Sequence, residues 1–65
     1  MTDFLIRNEG TVVLFIPVSD AAREFALSDE LGLEDWQRFG EHFAIDHRPA
    51  VELVNQLFYE GWDIA

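Results

Sequence analysis

The sequence predicts a two-layer α+β domain, a small three- to four-stranded sheet with two helices on one face. Three observations predict it. Thr11 to Pro17 is an unbroken β-forming run. Two later stretches carry apolar residues at helical spacing, each behind a capping signal. The chain has 65 residues, which is room for one domain spanning 1–65.

Phe4 to Ile6 is a short apolar stretch, and Asn8-Glu9-Gly10 is a turn signal before a β-rich run. A first short strand, a turn and a second strand follow from that. The run Val12 to Ile16 is apolar without alternation, the pattern of a strand covered on both faces. Pro17 has no ladder donor and marks the strand's end.

Ser19 and Asp20 are N-cap residues. Behind them Ala22, Phe25 and Ala26 share one helical face, in a helix expected to run to Leu27 or as far as Leu31, with Gly32 as a stop. From Trp36 to Ile45 two periods compete. Leu33, Trp36, Phe39, Phe43 and Ala44 would line a helix, but Gly40 weakens a helix interior and Phe43 and Ile45 alternate with Ala44 and Asp46. Strand structure is expected there, bent or hairpinned at Gly40. The second helix begins at Asp46 or His47, tolerates Pro49 in its first turn and ends at Gly61. Its expected buried stripe is Ala50, Leu53, Val54, Leu57 and Phe58. Trp62-Asp63-Ile64 is expected as a closing strand, completing the order ββαβαβ.

The domain must hold together without cross-links. There is no Cys, which excludes disulfides, thiolate metal sites and cysteine nucleophiles, and which suits a reducing cytoplasm. Six Phe, two Trp and one Tyr supply apolar mass instead. Thirteen acidic residues against four Arg and no Lys give a formal charge of −9. That field repels nucleic acid and anionic membranes and favours a basic partner. No apolar run approaches the ~20 residues of a membrane helix, and the acidic start Met1-Thr2-Asp3 is unlike a signal peptide.

Candidate chemistry is sparse. Glu41, His42, Asp46 and His47 form one group with metal or acid–base character, yet their spacing matches no zinc signature. On a strand His42 and Asp46 share a side and His47 does not. The serines, Ser19 and Ser28, sit in no nucleophile motif, and the glycines form no phosphate loop. No catalytic residue and no cofactor is expected. The acidic connection Asp29, Glu30, Glu34 and Asp35 and the aromatics Trp36 and Trp62 are the expected partner-binding residues.

The segments Pro17 to Phe25 and Trp36 to Gly40, with Asp46-His47-Arg48, resemble small uncharacterised proteins of proteobacteria over most of the chain. The resemblance implies a bacterial origin and strand structure through Phe43 to Ile45. It implies no activity, substrate or site.

The expected function is therefore a non-catalytic protein-binding module of the bacterial cytoplasm. Two alternatives come from other classes: an acidic DNA mimic that inhibits a nucleic-acid-binding protein, and a metal-binding protein using His42, Asp46 and His47. Two helices cover only one face of a small sheet, so a homodimer through the uncovered face is a further expectation.

Overall fold

The computed structural model describes residues 1–28 and 31–65. The expected acidic residues Asp29 and Glu30 lie outside the described residues. The fold is α+β, with strands β1 (Phe4–Asn8), β2 (Val12–Pro17), β3 (Arg38–Phe39) and β4 (His42–Asp46) in one antiparallel sheet. The helices are α1 (Asp20–Leu27) and α2 (His47–Tyr59), and the strand order in the sheet is β1-β2-β4-β3.

Each hairpin has a local cause. In the first, the Asn8 Oδ1 accepts from the Gly10 amide at 2.9 Å, and the Glu9 amide donates to the Val12 carbonyl at 2.9 Å. This is the Asx device that reverses the chain in two residues. In the second, Phe39 pairs with His42 around a loop of Gly40 and Glu41. Gly40 has φ +64° and Glu41, like every other described non-glycine residue, has a negative φ, which is the type II′ pattern whose twist suits a hairpin.

α1 starts and stops where side chains satisfy its free backbone groups, whereas α2 is closed by its own backbone. The Ser19 Oγ accepts from the Ala22 amide at 3.1 Å, as an N-cap does. α1 ends at Leu27, short of Leu31, with the Ser28 amide and hydroxyl both donating to the Phe25 carbonyl. α2 closes on Gly61 in a Schellman pattern. The Trp62 amide donates to the Leu57 carbonyl at 3.0 Å and the Gly61 amide to the Phe58 carbonyl at 3.1 Å. That reversal throws Trp62 back onto the core.

The strand alternation decides which face is packed. Phe4, Val13, Phe15, Phe43 and Ile45 point to one side and form a core with Ala22 and Ala26 of α1 and Ala50 and Leu57 of α2. Both helices therefore lie on that face. The alanines let the helices approach the sheet closely, leaving the phenylalanine rings to fill the layer.

The span from Trp36 to Ile45 is hairpinned at Gly40, as expected, but its strand structure starts only at Arg38: Asp35–Gln37 forms a 3₁₀ turn, and β3 is two residues long. Two other expectations need correction. The closing strand reduces to a parallel bridge between Ile64 and Phe4, so the order is ββαββα, not ββαβαβ. The Ala65 amide donates to the Phe4 carbonyl and the Ile6 amide to the Ala65 carbonyl, which uses the outer edge of β1 without building a regular strand. Phe58 is 73% exposed, not buried. One residue past Leu57 turns a side chain by about 100° around the axis, and the stripe that faces the sheet is too narrow to take both.

Candidate functional site

The second face of the sheet is built by the same alternation. Leu5 pairs with Ile16, Arg7 with Leu14, Leu14 with Ala44, Val12 with Asp46, and Phe39 with His42. All nine of these residues point away from the helices. Val12, Leu14 and Ile16 are half-buried and Leu5 is exposed. Among the described residues no helix packs on this face.

The apolar part of the face is deepened into a groove. Val12, Leu14 and Ala44 form its floor, Phe39 and Trp36 stand on one side, and Glu9 and His42 complete the lining around about 320 Å³. Trp36 is 60% exposed and Phe39 58% exposed, so both rings present surface to water that a core residue would hide. Their placement is local in origin. The Gln37 Oε1 accepts from the Glu34 amide at 2.8 Å, and the Gln37 Nε2 donates to the Ala44 carbonyl at 3.1 Å. One side chain thus ties the 3₁₀ turn to β4 and holds Trp36 over the groove.

β3 is anchored from the other side. The Arg38 Nη1 donates to the Ala26 carbonyl in the last turn of α1 at 2.8 Å. α1 carries no basic residue in that turn, and the guanidinium supplies the positive charge that a helix C-terminus favours. Phe39, the next residue, is displayed on the open face because Arg38 points to the helical one.

The charges around the groove are mostly negative. Glu9 pairs with Arg7 at 3.0 Å. Asp46 stands on the open face across from Val12, and Glu34 and Asp35 precede Trp36 in the chain. Of the four acidic residues expected as a block, the described pair Glu34 and Asp35 is thus next to the exposed aromatics.

Trp62, expected with Trp36 as a partner-binding aromatic, lies on the opposite face. It is half-buried, with its ring centroid 5.4 Å from Phe4 and 5.2 Å from Phe25. Trp36 and Trp62 are therefore not brought together. Phe39 and Leu14 belong to the open face and were not among the expected partner-binding residues. For Leu14 the available signal was the two-residue period of a strand, which puts Val12, Leu14 and Ile16 on one side of a run that is apolar throughout. Phe39 could be assigned to the open face only once Arg38 was known to point inward.

His42 and Asp46 share the open face with Ala44 between them, and His47 begins α2. Among the described residues no three His, Cys, Asp or Glu side chains converge in a way that could hold a metal ion. No helix among the described residues is long and apolar enough to cross a membrane. No protein-family model matches the chain, and no curated protein or solved structure matches it either.

Proposed function

We propose that the protein is a non-catalytic interaction module of the bacterial cytoplasm that binds another protein through the open face of its sheet. The observation that supports this reading is the pair Trp36 and Phe39, both more than half exposed beside an apolar floor of Val12, Leu14 and Ala44. Exposed aromatics next to a concave apolar surface are the usual anchors of protein recognition. The ionisable groups lining the groove are Glu9 and His42, and Glu9 is already paired with Arg7. No nucleophile stands beside His42 in that lining, so an acid–base reaction has no partner group there.

The test is recovery of a partner by the tagged chain from a lysate of the organism that encodes it, beside a Trp36→Ala, Phe39→Ala variant. A protein retained by the parent and lost by the variant supports the module. Equal retention by both places recognition elsewhere and removes the open face from the proposal. The alternative of an acidic DNA mimic is supported by the net charge of −9 alone. It predicts a DNA-binding partner that duplex DNA displaces.

A further inference from the structure

We infer that the occupant of the open face is a basic amphipathic helix of the partner protein, laid across Leu14 with its apolar side against Trp36 and Phe39. The inference rests on the reading of the open face as a protein-binding surface and adds what kind of segment it takes.

Size argues for a helix. Three strands of about five residues and the two-residue β3, about 4.8 Å apart and rising ~3.4 Å per residue, make a patch of under about 300 Å². A stable protein dimer buries about 800 Å² on each partner. A second copy stacked on this face would fall well short of that area. A helix of about 12 residues is ~18 Å long and ~10 Å wide, which fits the patch. It would also give the sheet a layer on its bare side, as α1 and α2 already do on the other.

Charge argues for a basic one. The face carries Asp46 and the Arg7–Glu9 pair, with Glu34 and Asp35 beside Trp36, so its local balance is negative within a chain of net charge −9. A second copy would bring the same carboxylates and the same net charge to the contact. Lys or Arg flanking an apolar stripe would meet these carboxylates and the faces of the Trp36 and Phe39 rings.

The experiment is selection from a displayed library of helical 14-residue peptides, randomised at every surface position, against the full chain. The expected winners combine a Leu-rich stripe with net positive charge. Their binding should weaken roughly tenfold or more in Trp36→Ala, Phe39→Ala, since such anchors carry most of an interface's energy. It should weaken again as salt rises from 50 to 500 mM. With the tightest peptide bound, amide shifts in the full chain should centre on Val12, Leu14, Phe39 and Ala44. Winners that are neutral or acidic overturn the basic helix while leaving the open face as a binding surface. Shifts centred on Val51 and Val54 of α2 overturn both. A dimer in light scattering whose dissociation follows Trp36→Ala, Phe39→Ala makes the occupant a second copy and overturns the inference alone. Because both rings are largely exposed, the variant should keep the parent's circular dichroism and melting curve, and that measurement separates lost binding from lost fold.

Discussion

Phe15 and Phe43 stack across the central strands β2 and β4, with ring centroids 5.0 Å apart and planes within 6° of parallel. They are direct partners in the register, so the ladder itself sets the rings face to face. Phe4 then meets Phe43 edge-on at 6.4 Å, with planes 81° apart. Three rings from three strands thus close the layer between sheet and helices.

Removing one of them should be close to the limit of what this domain survives. Phe43 is 1% exposed, and Phe43→Ala should cost about 3–5 kcal/mol. Small domains have about 0.05–0.15 kcal/mol of stability per residue, so a loss of that size is comparable to the whole. Phe39→Ala, on the open face, should change stability by less than about 1 kcal/mol. Urea titrations of the two variants should differ accordingly. A Phe39→Ala variant as unstable as Phe43→Ala would mean that the open face is covered in solution.

Arg38 joins β3 to α1 through a single hydrogen bond to the Ala26 carbonyl. Arg38→Met keeps the aliphatic stem and removes the donor. A charged hydrogen bond of this kind carries roughly 1.5–3 kcal/mol, and partial exposure brings the expected loss to about 1–2 kcal/mol. The loss should shrink in high salt, which a melting series at 50 and 500 mM would read. No difference between Arg38→Met and the parent would show that α1 needs no outside partner at its C-terminus.

Gly40 opens the β3–β4 hairpin with φ +64°, where an L side chain is strained. No atom stands within 4 Å of where a Cβ would be, so the cost of Gly40→Ala is conformational and not steric crowding by neighbours. It should be about 1–2 kcal/mol. Chemical denaturation should show a lower midpoint with an unchanged slope, since the surface exposed on unfolding does not change.

How much of this could be read before folding differs by element. β2 and both helices were legible because Val12 to Ile16 and the Ser19 cap are local signals. The hairpin at Gly40 was legible as a break but not as a boundary, because a strand of two residues has no period to detect. Trp62 was misplaced because its position depends on the turn at Gly61, where Leu57 and Phe58 accept the hydrogen bonds that reverse the chain. An aromatic residue in a closing segment looks the same in sequence whether that turn points it inward or out. The open face was foreseen from the unbroken apolar run, but its aromatic side was only half foreseen: Trp36 was named and Phe39 was not.

The two tryptophans should therefore report separately. Trp62 sits against Phe4 and Phe25, and Trp36 is 60% exposed. Trp36→Phe should leave a blue-shifted emission from Trp62 that moves to the red only on unfolding. Trp62→Phe should leave a red-shifted, readily quenched emission from Trp36. Trp62→Ala should cost about 2–4 kcal/mol, somewhat below a fully buried aromatic because the residue is half-buried. Acrylamide quenching of the two single-tryptophan variants checks the assignment, and equal quenching would place Trp62 in solvent.

Asp3 ties the start of the chain to its end, and this contact should make stability depend on acid. A hydrogen bond from Ser19 and the Asp63 amide, at 3.0 Å from Oδ2, hold its carboxyl below the ordinary value of 3.8. A carboxylate favoured in the folded state binds its proton more readily when the chain unfolds. Its stabilisation is therefore complete above the unfolded value and fades as pH falls through the folded one. The Asp3 backbone carbonyl meanwhile accepts from the Val18 amide at 2.7 Å, independently of the side chain's charge. Asp3→Asn should therefore keep the fold, lower stability at pH 7, and flatten the fall in stability between about pH 5 and pH 2. Urea midpoints of parent and variant across that range should converge as the pH drops. Curves that stay parallel down to pH 2 would mean that Asp3 carries no proton-linked stability and that other carboxylates govern acid unfolding.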